Sequence, residues 1–351
     1  MQEIKIVKTQ QSKLSSVNFK ELKFGQTMGD HMFQVDFENG DWCNPTILPY
    51  GEIPLSPAIS ALHYGQAIFE GMKAYRNQNG EIVIFRPFEN LKRMNISARR
   101  MAMAEIPEEL FMGGLKELIK TDSNWVPNLE GSSLYIRPFM FATDTYIGIR
   151  PSDKYKFMII SSPVNMYYSE PVNVLVEEHY TRSNEGGVGF AKTAGNYGRA
   201  LYPAKLGQEK GYHQLIWTDA KEHKFIEESG TMNIMFQIND TIVTPELSTT
   251  ILAGVTRDSV VTLLKDWGVK VEERKVSVSE IIEAAENGSL KDAFGAGTAA
   301  TIAQIASIGF RGKDYKLPDP KSRELSIKLL NTLNDIRYGK IEDKFNWMYK
   351  V

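Results

Sequence analysis

An α+β protein of about two domains is what this sequence predicts, and three observations carry the prediction. Its 351 residues exceed the roughly 150 that a single domain commonly uses. The first half mixes helical periodicities with strand-like runs, whereas the second alternates strands and helices. Between them, Asn165-Met166-Tyr167-Tyr168-Ser169-Glu170-Pro171 shifts to polar, aromatic and proline residues, as an interdomain connection does. The expected division is a smaller N-terminal α+β domain over 1–164, a connection over 165–172 and a larger mixed α/β domain over 173–351. A ligand cleft is expected between the two domains.

Each element has its own signal. The run 80–85 carries the apolar, mostly β-branched Ile82-Val83-Ile84-Phe85, hence a strand. From Glu89 to Met103, Leu91, Met94, Ala98 and Met101 recur at helical spacing, and Leu110, Leu115 and Ile119 do so over Pro107–Lys120. Strands are expected at Ser133–Phe139, Tyr155–Ser161, Val172–Val176, Gln214–Trp217, Asn233–Gln237 and Thr241–Thr244. Helices follow at Thr256–Trp267 and Ser279–Glu286. Ser277 and Glu280 have capping-box spacing, and Gly288 suits the C-terminal turn. A last helix is expected to open at Asp319-Pro320 and stop at Gly339.

Hydrophobic residues make up 42% and charged residues 24%, enough for a full core, and the net charge of −2 gives no electrostatic case for nucleic acid or an anionic membrane. Cys43 is the only cysteine, which excludes an intrachain disulfide and suits a reducing compartment. The five histidines are scattered without metal-ligand spacing. Residues 1–16 lack an apolar run and arginine, so a cytoplasmic protein is expected.

Four clusters carry the chemistry. Lys192 lies in Gly186-Gly187-Val188-Gly189-Phe190-Ala191-Lys192-Thr193-Ala194-Gly195-Asn196-Tyr197-Gly198. The glycines give a ligand close access to an amine able to attack carbonyls. A phosphate loop is the rival reading of Gly186 to Thr193. Against it stand Ala191 in place of glycine and a following segment that makes a poor helix opening. Glu228 enters an apolar strand in Glu228-Ser229-Gly230-Thr231-Met232-Asn233, either aimed at a ligand or as an ordinary loop acid, and Thr231 and Asn233 suit a turn as well. Gly254-Val255-Thr256-Arg257 precedes an amphipathic helix, whose N-terminal amides can hold an anion. Gly295-Ala296-Gly297-Thr298-Ala299 is the fourth cluster. Arg93 is either a phosphate fork or part of a solvated face with Lys92, Arg99 and Arg100. Tyr135 and Arg137 share one face of a strand. Phe24, Tyr64 and Phe69 could be core. An amine, an anion site and an acid are together what pyridoxal phosphate requires.

Lys192-x-x-Gly-Asn-Tyr-Gly, Glu-x-Gly-Thr-Met-Asn, Gly-Val-x-Arg and Phe-Gly-x-Gly-Thr-Ala together resemble the class IV pyridoxal-phosphate aminotransferases, above all the branched-chain amino-acid aminotransferases. The similarity runs end to end, through Phe69-Glu70-Gly71-Met72-Lys73-Ala74 and Leu134-Tyr135-Ile136-Arg137-Pro138 to Trp347-Met348. Met235 departs from the usual Phe or Tyr. Ala300 and Ala303 replace the Cys-x-x-Cys pair of mammalian relatives, so a thiol switch there is excluded.

The resemblance implies the fold-type IV architecture, with the cofactor pyridoxal 5′-phosphate in the interdomain cleft. Lys192 would carry it as an aldimine and shuttle the substrate proton. Glu228 would pair with the ring nitrogen and Tyr197 with the phenolic oxygen. Arg93, Val255, Thr256 and Thr298 would hold the phosphate, with Thr231 and Asn233 in the cofactor shell. Tyr135 and the Thr298–Ala299 turn would receive the α-carboxylate, and Arg137 the second carboxylate of glutamate. Phe24, Tyr64, Phe69 and Tyr167 would line the side-chain pocket, joined by Ile149 from the partner of a homodimer. The implied reaction is reversible transamination between leucine, isoleucine or valine and 2-oxoglutarate, exchanging the branched-chain amino acids and glutamate for their 2-oxo acids. A D-amino-acid aminotransferase or an aminodeoxychorismate lyase is the nearest alternative.

Overall fold

The computed structural model describes residues 3–165 and 170–351. The chain divides into two compact units, one formed by Met1–Tyr167, Ala191–Gly195 and Asp335–Val351, the other by Tyr168–Phe190 and Asn196–Asn334. The first contains strands β1 (Lys5–Ile6), β2 (His31–Glu38), β3 (Asp41–Pro49), β4 (Ala67–Phe69), β5 (Met72–Arg76), β6 (Ile82–Phe85), β7 (Ser133–Ala142) and β8 (Tyr155–Val164). Its helices are α1 (Ser60–Tyr64), α2 (Pro87–Arg100) and α3 (Glu108–Thr121). The sheet runs β1-β3-β2-β8-β7-β5-β6 and closes on the C-terminal strand Met348–Lys350, with β4 on β7. Apart from the parallel β1–β3 edge, every pairing is antiparallel. The core gathers Phe33, Phe111, Phe157 and Trp125 under α2 and α3. Gly114 lets α3 approach closely, since a Cβ there would sit 2.6 Å from the Phe33 ring.

The second unit contains β9 (Val172–Val176), most of α4 (Ala194–Glu209), β10 (Gln214–Thr218), β11 (Ile226–Ser229), β12 (Asn233–Ile238), β13 (Thr241–Thr244), α5 (Val255–Asp266), β14 (Lys270–Glu273), α6 (Val278–Glu286), β15 (Leu290–Gly297), β16 (Thr301–Phe310), β17 (Lys313–Lys316) and most of α7 (Glu324–Arg337). Its sheet order is β11-β10-β9-β16-β15-β12-β13-β14, with β17 on β16. Strand β9 pairs in parallel with both β10 and β16, and β13 with β14, so this sheet is mixed. Ile281 and Ile282 of α6 pack on Val174, Ile216, Phe236 and Ile305. The α+β class expected from sequence is the class observed.

The capping box forms as the spacing predicts, the Glu280 amide donating to Ser277 Oγ at 3.1 Å. Helix α2 starts at Pro87, earlier than the periodicity indicates, because proline fits the first turn. Two expectations need correction. The segment from Ala194 is a helix despite Gly195 and Gly198. The two glycines cost roughly 1 kcal/mol each, and anchoring such as the 2.8 Å bond that Asn196 Nδ2 donates to Val188 O opposes that cost. The last helix is divided: a 3₁₀ turn covers Pro320–Ser322 and α7 begins at Glu324. Arg323 leaves the helix because its buried guanidinium is drawn to Ile305 O at 2.7 Å and Asp292 at 3.3 Å.

Candidate active site

In the first unit the chain around Lys192 is stitched to β4. The Phe69 amide donates to Lys192 O at 3.1 Å, Ile68 bridges Thr193, and the Lys192 amide donates to Ser97 Oγ at 2.8 Å. A phosphate loop needs such amides turned together on an anion. That rival fails here on backbone geometry, although the helix following Lys192 removes one argument made against it from sequence. The Lys192 amine stands 4.8 Å from the centre of the Phe69 ring.

Arg93 is not on a solvated face. It is 7% exposed, and its Nε and Nη2 grip Glu70 at 2.7 and 2.8 Å. Glu70 is wholly buried and also accepts from Asn90 Nδ2 at 2.8 Å and from the Gly71 amide at 3.2 Å. Burial pulls its carboxyl upward. The Arg93 charge and hydrogen bonds, the Lys192 charge and Asn90 outweigh that and hold it below the usual carboxylate range. The motif around Glu70 assigns it no role. Its one local signal was a lone acid inside an apolar β-rich run.

Tyr135 and Arg137 do share a face of β7. Arg137 Nη2 donates to the Tyr135 hydroxyl at 2.7 Å, and the guanidinium covers the Phe69 ring at 4.6 Å. Arg137 Nε is buried with no hydrogen-bond partner among the described residues. Phe24 meets the Tyr135 ring edge-on at 4.9 Å. Phe24, Phe69, Tyr135, Arg137 and Lys192 therefore form one cluster. Tyr64 ends α1, 44% exposed, and Ile149 stands 94% exposed in the loop after β7. Tyr167 falls outside the described residues.

In the second unit Glu228 is 3% exposed on β11. Its Oε1 accepts from the Leu252 amide at 2.6 Å and its Oε2 pairs with Arg182 Nε at 2.9 Å, so it is no ordinary loop acid. Asn233 donates to the Leu252 carbonyl at 2.9 Å, so both motif residues are tied to the backbone of one residue, Leu252. Two residues on, Gly254 opens α5 without a side-chain cap, and Val255 and Thr256 form the first turn. A Cβ on Gly254 would come within 2.0 Å of Asn233 Oδ1. Thr298 and Ala299 occupy the half-buried β15–β16 turn, Tyr197 is half-buried on α4, and Thr231 is exposed in its turn. Arg182 had no sequence signal; only the folded chain brings it to Glu228, from outside every motif. Among the described residues there is no cluster of three potential metal ligands, and no helix is long and apolar enough to cross a membrane.

These motifs coincide with known proteins. The family model for amino-transferase class IV matches residues 67–308. Branched-chain-amino-acid transaminase 1 of Bacillus subtilis is 45% identical over 335 residues, covering 94% of each chain. The probable branched-chain-amino-acid aminotransferase of Staphylococcus epidermidis is 44% identical, over 94% of this chain and 93% of its own. Among solved structures, the branched-chain aminotransferase of Thermoproteus uzoniensis with norvaline aligns at a TM-score of 0.75 and 24% identity, covering 91% of this chain and 99% of that one. The Escherichia coli branched-chain amino acid aminotransferase gives 0.74 at 23% identity, over 91% and 98%. At such identity the structures speak for the fold, and the curated relatives speak for the family. Motif, fold and relatives agree: the chain belongs to the class IV aminotransferases, among the branched-chain amino-acid aminotransferases.

Proposed function

We propose that the chain catalyses reversible amino transfer between L-leucine, L-isoleucine or L-valine and 2-oxoglutarate, with pyridoxal 5′-phosphate bound at Lys192. The observation that carries this reading is the buried Glu228, fixed on both carboxylate oxygens. The donor set fits the cofactor in kind: an amine at Lys192, a buried guanidinium at Arg93 whose plane Glu70 fixes, an uncapped helix start at Val255 and Thr256, and a buried acid. When bound, pyridoxal phosphate supplies an aldehyde to take up the amino group and a ring to accept electron density from the substrate's Cα.

The chain's own groups do the rest. Lys192 holds the cofactor and carries the proton to and from the substrate's Cα. Glu228 keeps a proton on the ring nitrogen, and Tyr197 hydrogen-bonds the phenolic oxygen. Arg93, the amides of Val255 and Thr256, and Thr298 hold the phosphate; Asn233 and Thr231 support the shell. Tyr135 with the Thr298–Ala299 turn binds the α-carboxylate. Arg137, whose orphaned Nε supports the reading, binds glutamate's distal carboxylate. Phe24, Tyr64 and Phe69 face the apolar side chain, with Tyr167 assigned to them by resemblance alone. We assign Ile149 to the same pocket of a second copy in a homodimer. Its 94% exposure and the 69% exposure of Ile147 support that assignment, because isolated chains rarely leave such a loop uncovered. Work in the cytoplasm accords with a single cysteine.

The test is product formation from L-leucine and 2-oxoglutarate, set beside D-alanine and aminodeoxychorismate. Glutamate should appear with L-leucine and not with D-alanine, and Lys192→Ala should abolish it. Normal turnover by Lys192→Ala would refute the assignment of the amine.

A further inference from the structure

Glu227 directly precedes the acid assigned to the ring nitrogen, and nothing in the proposed reaction uses it. Strand alternation would send the two side chains to opposite faces of β11. The pairing with β10 breaks that alternation. Trp217 opposes Glu228 and the next residue, Thr218, opposes Ile226, which leaves Glu227 as the extra residue of a bulge. Bulges re-aim side chains, and here the charge of Arg182 acts on Glu227 while its Nε is bonded to Glu228. Arg182 is held in place by two further bonds, to Thr250 O at 2.8 Å and to Gly189 O at 3.1 Å.

Glu227 is 6% exposed, and its Oε2 is buried with no hydrogen-bond partner among the described residues. A buried charge is strongly disfavoured without full pairing. The groups facing it are the Thr250 hydroxyl, the Arg182 guanidinium, Glu228 of its own strand and Asp219 of the β10–β11 connection. One cation among three acids cannot neutralise them all. Burial above all pushes the Glu227 carboxyl up to about 7, with Glu228 and Asp219 adding to the rise.

We propose that Glu227 is a positioning residue kept as the neutral acid, so that the single guanidinium of Arg182 stays committed to Glu228. The inference rests on the role proposed above for Glu228. When base carries the Glu227 proton away to solvent, two carboxylates divide one guanidinium and Glu228 loses its fixed geometry.

The first measurement uses apoprotein with carbon-13 in its glutamate carboxyls, followed by NMR against pH. One signal should titrate near neutrality and be missing from Glu227→Gln; a Glu227 signal that titrates in the ordinary carboxylate range overturns the proposal. Stability gives a linked readout. With the folded carboxyl raised to about 7 from 4.5, the native state binds more protons between those values. Unfolding free energy should therefore fall as pH rises through that window and level off above it, and Glu227→Gln should remove that slope. The second measurement is kcat/KM of the holoenzyme for L-leucine against pH. The parent should show a decline above neutrality that Glu227→Gln lacks, a difference that a packing role alone would not produce. The same decline in the variant overturns the proposal. Glu228→Gln separates the two readings. Unchanged half-reactions there would remove the role of Glu228, and the purpose given to Glu227 with it, whereas slowed half-reactions beside a normally titrating Glu227 would sink this proposal alone.

Discussion

Glu70 and Arg93 show how a single residue's role depends on what surrounds it. On the helix alone, Arg93 sits among Lys92, Arg99 and Arg100 and reads equally well as a solvated cation. Its partner lies 23 positions earlier, and the forked contact through Nε and Nη2 fixes the plane of the guanidinium. Removing the charge of such a buried pair costs on the order of 3 kcal/mol. Glu70→Gln should lower the unfolding midpoint and weaken the binding of pyridoxal phosphate by roughly tenfold, about 1.4 kcal/mol, as read by equilibrium titration of apoprotein. Unchanged affinity would show that Glu70 does not position Arg93 for the phosphate. Lys192 and Glu228 were legible because each sits in a motif. Glu70 and Arg182 were not, because long-range pairing leaves no mark on local spacing.

Secondary structure was most legible where one principle dominated. The strands at Val172–Val176 and Thr241–Thr244 were bounded correctly because β-branched residues fill them. Helix α5 was found to within a residue through its apolar stripe. Competing demands hid the rest. Helix α4 carries glycines in its first turns, and α7 is cut short by the buried Arg323. The glycine-rich β15–β16 hairpin offers little strand signal, yet it carries the Thr298–Ala299 turn. Glycine before β5 has a more direct use: a Cβ on Gly71 would lie 2.2 Å from the Tyr135 hydroxyl. That hydroxyl is bonded to Arg137 at 2.7 Å, so both carboxylate-binding groups would shift together. Gly71→Ala should raise KM for L-leucine and for 2-oxoglutarate by about tenfold or more, with the far-ultraviolet circular dichroism preserved. An unchanged KM for both would contradict the proposed carboxylate site.

For the molecule as a whole, an antiparallel sheet under two helices and a mixed sheet with α5 and α6 give rigid backing to two sets of groups. One set carries the amine and the carboxylate binders; the other carries the buried acid and the uncapped helix start. The division of labour suits a reaction in which one group must be bonded and another must keep a ring protonated. The central claim is that the Lys192 amine bonds pyridoxal phosphate in an enzyme that accepts L-leucine. The most direct measurement is the absorption spectrum of the purified protein, loaded with the cofactor, before and after L-leucine and again after 2-oxoglutarate. The account predicts a near-visible band that L-leucine bleaches and 2-oxoglutarate restores, and that Lys192→Ala does not form as a protein-bonded species. A protein that stays colourless after loading, or a band indifferent to L-leucine, would contradict it.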